Sequence, residues 1–575
     1  MKLLLKYLGV MRGFIALTLA VKTASSLVEL AIPYILGYIL DTVVPQKSVE
    51  RIIFWGGVMI VCAVLACLGN ITANRMAAKV ARNTTRRIRH TLFERTMRLS
   101  SRQIDAFTIP SLESRLTSDT YHVHHLMGMS MRIGIRAPML LIGGIIITLT
   151  LDWVLALVMI VTLPLIAISV TVISRKGVPL FKSTQKSVDR MVGVVREDAQ
   201  GIRVIKALSK VDYEKRRYNT ANEQLVKAEK LAGTTMALSN PLVTFFLNLG
   251  LVSVIVTGAF LVNGDMSQTG KIISFIQYFT MISNAMIALS RIFVNASKGI
   301  ASAHRISEVI NTEYDLEVLP EDSFNAPPVG SPFIRYENVS FSYTGKVDNL
   351  SDISFELKKG QSLGIIGTTG SGKTTLIQLL MRLYDVGDGC IRIGGRDVRT
   401  IPHEELNTMF GVVMQNDFIF AGTVRDNIDL GRGLDDDTLQ RAMEIAQAAE
   451  FVNAFEDGLD HHLNSKGTNL SGGQRQRLLI SRAIAGGSPI LVLDDSSSAL
   501  DYKTDSKLRQ AIRESMSDVT TVTVAQRVSS IMHCDLILVL EGGRIIGKGT
   551  HEQLLCTCDV YKEISDSQIG GAFLD

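Results

Sequence analysis

The stretch Gly367-Thr368-Thr369-Gly370-Ser371-Gly372-Lys373-Thr374 is a complete phosphate-binding loop. Its glycines let backbone N–H groups cradle phosphate oxygens at the start of a helix. Lys373 then reaches the β and γ phosphates, and the hydroxyl of Thr374 holds magnesium. The loop follows an apolar strand, Ser362 to Ile366. It continues through Thr375 into a helical run, Leu376 to Leu383, which is the context the motif requires. A second element, Ile490-Leu-Val-Leu-Asp494, ends an apolar run on a carboxylate and supplies the magnesium-side aspartate. Tyr343, in Phe-Ser-Tyr upstream of the loop, has the ring to stack on adenine, although an isolated tyrosine there equally fills a strand.

These residues need a scaffold, and the chain is long enough for two or three domains at 575 residues. Hydrophobic residues make up 47% and the mean hydropathy is +0.24. The apolar excess is concentrated in residues 1–300. A bilayer crossing needs about 20 mostly apolar residues. Six stretches qualify: about 14–44, 53–74, 133–151, 154–174, 241–263 and 272–290. Long polar, helix-forming connections follow the second and fourth. The first of these, 75–132, carries Arg82, Arg86, Arg87, Arg89, Arg95, Arg98 and Arg102, which places it and the N-terminus in the cytosol. The basic N-terminus (Lys2, Lys6, Arg12) leads into an apolar run without a small-residue cleavage site, so it is not expected to be a removed signal peptide.

The expected organisation is multidomain. An all-α membrane domain of six helices with long cytosolic extensions covers 1–310. An acidic and then proline-rich linker covers 311–332, and an α/β domain covers 333–575. The net charge of +5 is small for this length and does not argue for a nucleic-acid partner. The six scattered cysteines read as free thiols. Cys556 and Cys558 are too few for a zinc site.

The octapeptide Leu470-Ser-Gly-Gly-Gln-Arg-Gln-Arg477 resembles the signature sequence of ABC-type ATPases. It stands between the phosphate loop and the aspartate run, in that family's order. With the six spans before it, essentially the whole chain resembles a bacterial half-transporter of the ABC exporter class. Leu112 to Asp119 resembles the first coupling region of such exporters, and Gly201 to Lys206 the second. Gln415, in Val-Val-Met-Gln, matches the glutamine loop that touches magnesium and the reaction centre. Ser498-Ala-Leu-Asp501 matches the loop that crosses between ATPase domains. The stretch from Glu541 to Gln553-Leu-Leu matches the closing strand and helix. The resemblance implies a head-to-tail dimer of ATPase domains. ATP would be sandwiched between one chain's phosphate loop and residues of the other chain's signature, here Ser471, Gly472, Gly473 and Gln474.

Two positions depart from the family pattern. Asp495 stands where the family carries its glutamate base, and Gln526, in Val524-Ala-Gln-Arg527, where it carries a histidine. Aspartate withdraws the carboxylate by roughly 1 Å, and a misplacement of that size costs on the order of 100-fold. Glutamine can bond a phosphate oxygen but carries no charge, so the stronger charge-assisted bond is lost. His461 to Gly467 also replaces an acidic stretch that contacts the coupling helices in many exporters.

The expectation is a heterodimer. This chain's own loop site would hydrolyse ATP weakly, and its intact signature would complete the site of a partner with glutamate and histidine. The alternatives are a homodimer with slow hydrolysis or a regulatory ATP-sensing membrane subunit. A soluble ATPase acting on DNA or ribosomes is excluded by the six spans.

The expected setting is the bacterial cytoplasmic membrane, with the ATPase in the cytosol. The cargo would be an amphipathic drug, lipid or peptide. The chain has no N-terminal peptidase region, which weighs against a leader-processing peptide exporter. Lys22 and Glu29 share a face of the first span, to line a cavity or to pair within the bundle. The last span offers Ser274, Gln277, Tyr278, Thr280, Met281, Ser283, Asn284 and Met286 as an adaptable face.

Overall fold

Long apolar windows and sparse helix breakers build the first part of the chain from helices alone. A computed structural model describes residues 6–320, 332–496 and 498–569. The chain divides into two units. The first comprises Met1–Arg98 with Thr108–Thr312, and the second Leu99–Phe107 with Glu313–Asp575. The core of the expected linker, residues 321–331, lies outside the described residues.

The first unit contains the helices Arg12–Tyr38, Val49–Met97, Thr120–Leu151, Trp153–Ala207, Val211–Ala237, Ser239–Asn263 and Thr269–Asn311. Among the described residues, six helical stretches are long and apolar enough to cross a membrane. Several continue well past the roughly 30 Å that a bilayer core requires. Val49–Met97 has 49 residues and Trp153–Ala207 has 55. Asp152 caps the latter, accepting from the backbone N–H groups of Val154 and Leu155.

The first helix packs against Val49–Met97, and Thr269–Asn311 packs against Thr120–Leu151. Leu30, Leu140, Met159, Tyr278, Phe279 and Ile282 meet in the core. Near the helix-breaking Pro33, the Ser274 hydroxyl donates to the Pro33 carbonyl at 2.7 Å, and the Tyr278 hydroxyl donates to the Leu30 carbonyl at 2.5 Å. The two hydroxyls thus find polar partners that lipid could not offer.

The second unit alternates strands and helices. Its larger sheet has six strands in the order Arg544–Gly549, Leu536–Glu541, Ser362–Gly367, Thr520–Val524, Ile490–Asp494, Phe410–Val413. All neighbours run parallel except the first pair. A four-stranded antiparallel sheet, Leu350–Leu357, Ile334–Phe341, Asp388–Ile393 and Arg396–Asp397, packs beside it through one shared core. In parallel sheets the ligand crevice lies beyond the carboxyl ends of the strands. Gly367, Asp494 and Val524 are all such ends.

Arg382 pins this unit together from a fully buried position. Its guanidinium donates to Asp385 at 2.8 Å and to the carbonyls of Glu317 at 2.7 Å and Arg399 at 3.3 Å. Removing a buried charged partner costs about 3 kcal/mol. Arg382→Ala is therefore expected to lower the thermal midpoint of the purified chain by several degrees, measured by scanning fluorimetry. An unchanged midpoint would show the buried network to be dispensable.

The structure corrects the expected first coupling region. Leu112–Asp119 stays within the membrane unit. Asp119 is buried there and accepts from the guanidinium of Arg305, with one bond at 2.8 Å. The preceding segment, Leu99–Phe107, belongs to the unit that holds the phosphate loop. Within that unit the Tyr384 hydroxyl donates to Asp105 at 2.7 Å, and the Gln103 amide donates to the Glu313 carbonyl at 2.7 Å. An eight-residue family match could not see this, because the packing partners are far along the chain. Gly201–Lys206 lies in the last turns of the long helix Trp153–Ala207, in the membrane unit.

Candidate functional site

The phosphate loop is shaped by its glycines. Gly370 and Gly372 take φ of +82° and +98°, which favours residues without a side chain. A Cβ on Gly372 would also meet the Asn349 carbonyl at 2.9 Å. The loop opens the helix Lys373–Leu380, so backbone N–H groups gather at a helix N-terminus. A cavity of about 520 Å³ lies there. It is lined by Gly367, Thr368, Thr369, Gly370, Gly372, Lys373, Thr374, Thr375, Gln415, Asp494, Asp495 and Gln526. One sheet edge therefore brings together every candidate of the loop except Ser371, with both aspartates, both changed positions and the loop glutamine.

The electrostatics suit a magnesium nucleotide. The Lys373 ammonium donates to the carbonyls of Gly367 and Thr368 at 2.9 and 2.8 Å, which holds it across the loop. Burial pushes its pKa down, and the nearby Asp494 and Asp495 oppose that shift. Burial also pushes Asp494 up, against a hydrogen bond from Thr374. Among the described residues, one Asp494 oxygen and the Ser371 hydroxyl are buried without a hydrogen-bond partner. Such orphans cost about 1–3 kcal/mol each. A cation at Asp494 and a phosphate oxygen at Ser371 would satisfy them.

The two changed residues meet. The Gln526 amide donates to an Asp495 carboxylate oxygen at 2.9 Å. The strands that carry them are paired in register, Val524 opposite Asp494. Asp495 itself sits at φ +52°, a left-handed conformation that aspartate tolerates better than most residues. Burial raises its pKa and the Gln526 bond works the other way.

The signature residues lie outside this cavity. Ser471 caps the helix Gly472–Ala485: its hydroxyl oxygen accepts from the Gln474 N–H at 3.2 Å, and the Gln474 side chain accepts from the Ser471 N–H at 2.9 Å. Gly473 abuts the crossing loop, since a Cβ there would meet the Ala499 carbonyl at 3.3 Å. Tyr343 is not among the lining residues. Its ring packs edge-on against Phe341 and Tyr384, and its hydroxyl donates to Gln378 at 2.6 Å.

Several contributors escaped sequence reasoning. Asn349 and Ile366 line the cavity, with Ile564 from the C-terminal helix Asp559–Ile569. From that helix Gln568 brackets the loop of Gln526. It accepts from the Val528 N–H at 2.8 Å and donates to the Gln526 carbonyl at 2.9 Å. No local motif announces them. His461, in the atypical stretch before the signature, stacks on Phe455 at 3.9 Å.

The membrane unit has a cavity of its own, about 540 Å³. Glu29 lines it and accepts from Arg136 at 3.1 and 2.5 Å. Gln277, Thr280, Met281 and Asn284 of the last span also line it. Lys22 does not. It is 2% exposed and donates to the side chains of Asn70 and Asn74.

Comparison with known proteins agrees with this geometry. Residues 15–286 match the family model of the ABC transporter transmembrane region, and residues 350–498 match the ABC transporter family model. The chain is 33% identical to an uncharacterized ABC transporter ATP-binding protein of Mycobacterium tuberculosis over 98% of each chain. It is 34% identical to YfiB of Bacillus subtilis, an uncharacterized ABC transporter ATP-binding protein, over 94% of each. The fold is similar to that of a bacterial Atm1-family ABC exporter with ATP bound, with a TM-score of 0.79, 23% identity, and coverage of 97% of this chain and 98% of the other. The chain thus belongs to the ABC transporter family, as a multi-pass membrane protein whose transmembrane region is fused to a cytosolic ABC ATPase domain that implies ATP hydrolysis coupled to transport.

Proposed function

We propose that the chain is one half of a heterodimeric exporter that moves an amphipathic drug, lipid or peptide across the cytoplasmic membrane. ATP binding and hydrolysis drive it between inward-open and outward-open states. Its own loop site holds ATP and hydrolyses it weakly. Its signature residues Ser471 and Gly473 complete the site of a partner that carries glutamate and histidine where this chain has Asp495 and Gln526.

The observation that carries this reading is the Gln526–Asp495 hydrogen bond. Hydrolysis needs a base with a free lone pair within reach of a positioned water. Here one aspartate oxygen is engaged by an uncharged amide, so both changes fall on the same site and reinforce each other. The signature, by contrast, keeps its cap and its glycines. The export direction draws support from the fold shared with an Atm1-family exporter.

Lys373 and the loop N–H groups would bind the β and γ phosphates, and Ser371 would bond a phosphate oxygen. Thr374, Gln415 and Asp494 would hold magnesium, whose charge offsets that of the phosphates. Tyr343 would contact the adenine side.

Steady-state ATPase of the purified chain tests this, alone and with a candidate partner of the stated kind. The expected result is near silence alone, activity in the pair, and loss of that activity by about 100-fold on Ser471→Ala in this chain, the scale of losing oriented transition-state contacts. Robust turnover by the chain alone as a stable dimer would mean that Asp495 serves as a base, and the heterodimer would be abandoned.

A further inference from the structure

The start of the chain lies along the helix Val49–Met97, where Leu8 and Met11 pack with Ala77 and Val80. Beside this contact is a cavity of about 640 Å³. The N-terminal stretch contributes Lys6 and Val10 to its lining. The helix contributes Asn83, Arg86, Arg87, His90 and Thr91, whose spacing of three and four residues puts them on one face. Beyond Met97 the chain enters Leu99–Phe107, a segment of the ATPase unit, so this end of the helix is the cytosolic one.

Two guanidinium groups, an ammonium and an imidazole thus line one concavity, and among the described lining residues none is acidic. The sequence explains why: the stretches 1–28 and 51–93 hold no aspartate or glutamate. The next acid on the helix, Glu94, is engaged by Arg98 at 3.2 Å. Other cations of the same helix have partners within the protein. Arg89 donates to the Thr120 hydroxyl at 2.9 Å, and the Lys79 ammonium lies 5.4 Å from the centre of the Phe14 ring. Among the described residues, Lys6, Arg86, Arg87 and His90 have no side-chain hydrogen bond or ion pair.

Like charges brought together repel, and a cleft lined by one sign of charge concentrates the opposite ion. Membrane topology asks only that basic residues lie on the cytosolic side. It does not ask that cations from two segments converge on one cavity. The planar fork of arginine matches phosphate oxygens, and Asn83 and Thr91 add neutral donors beside it. The volume lies within the range of ligand pockets.

We propose that this cavity binds a phosphate-bearing anion, with Arg86 and Arg87 on the phosphate oxygens and Lys6 and His90 completing the charge. Two sources carry that group here. One is the headgroup of an anionic lipid, which basic pockets on the cytosolic side of membrane helices accept. Val10, exposed beside Lys6, would then meet the lipid's apolar stem. The other is a soluble phosphate of the cytosol. The site is separate from the phosphate loop and goes beyond the export reading.

The test is arginine footprinting of the full-length chain in neutral detergent. Phenylglyoxal modification is followed by mass spectrometry at Arg86 and Arg87. Arg95, exposed on the same helix and outside the cavity lining, is the reference. The ligands are phosphatidylglycerol in mixed micelles, phosphatidylcholine as the zwitterionic control, and inorganic pyrophosphate. The pyrophosphate arm uses the Lys373→Ala chain, so that filling of the phosphate loop is not read. At about ten times the dissociation constant, ligand should slow modification of Arg86 and Arg87 about tenfold by mass action. Arg95 should be unaffected. Lys6→Gln combined with His90→Gln should cut the protection several-fold while leaving both reporting arginines in place. Both residues are exposed, so the variant should fold.

Protection by phosphatidylglycerol alone assigns a lipid headgroup, and protection by pyrophosphate a soluble phosphate. Either result sustains the anion site. Equal protection by phosphatidylcholine, slowing that extends to Arg95, no protection by either phosphate ligand, or protection indifferent to the double variant would overturn it. ATP hydrolysis is not the readout, so the heterodimer can fail its own test while this result stands.

Discussion

Replacing Asp495 with glutamate and Gln526 with histidine together is expected to raise hydrolysis at this chain's phosphate loop by about 100-fold. Glutamate would return the carboxylate by roughly one methylene toward the attacking water. Histidine would remove the amide that now engages the acid at 2.9 Å and could donate a charge-assisted bond to the γ-phosphate. The two changes should be synergistic, since residues in one hydrogen-bonded pair do not act additively. Asp495→Glu alone would still face the Gln526 amide, and Gln526→His alone would leave the short acid. The measurement is single-turnover hydrolysis in a pair whose partner has lost its own base, so that only this loop site is counted. A double variant no faster than the parent would show that neither position limits the site, and the degenerate-site reading would fall.

The second large effect concerns ATP retention. Lys373→Ala should weaken ATP binding by about 100-fold or more, because the ammonium is the one cation of the loop and its bonds to phosphate are charge-assisted. Its present bonds to the Gly367 and Thr368 carbonyls hold it in place over the loop before nucleotide arrives. Equilibrium binding of a fluorescent ATP analogue to the chain reads the change. In the proposed heterodimer the same substitution should lower nucleotide occupancy while leaving the partner's phosphate loop and this chain's Ser471 intact. Ser471→Ala should do the reverse, sparing the affinity of the Lys373 site and stopping turnover elsewhere. If both substitutions lowered binding at the same site, the signature would be serving its own chain.

Much of this protein was legible without coordinates because its chemistry is written in short covalent runs. A phosphate loop is eight consecutive residues, and its geometry follows from glycine φ values and a helix start. The signature is likewise local: Ser471 and Gln474 satisfy each other three residues apart. The six apolar spans are one-dimensional signals, since each bilayer crossing must be long and apolar by itself. The same holds for the two changed positions, Asp495 and Gln526, each visible beside its motif.

What escaped the sequence was decided between segments. Asp495 and Gln526 are 31 residues apart, and only the parallel register of Ile490–Asp494 with Thr520–Val524 brings the amide onto the carboxylate. Ile564 and Gln568 reach the site from the last helix. Glu29 announced itself as a charge in a span, but Arg136 lies 107 residues on, and helix packing chose that partner. Lys22 showed the same sequence signal and was turned instead toward Asn70 and Asn74. The segment packed into the ATPase unit, Leu99–Phe107, lies a few residues before the one that family likeness suggested.

By itself the sequence determined the class of protein, the phosphate-binding loop and the two positions that depart from the family pattern, because loop conformation and membrane span are set by neighbours along the chain. Only the tertiary structure decided which altered residue touches which, which membrane charges are paired and which are left over. Those outcomes depend on the register of strands and the rotation of packed helices, and no run of consecutive residues encodes either.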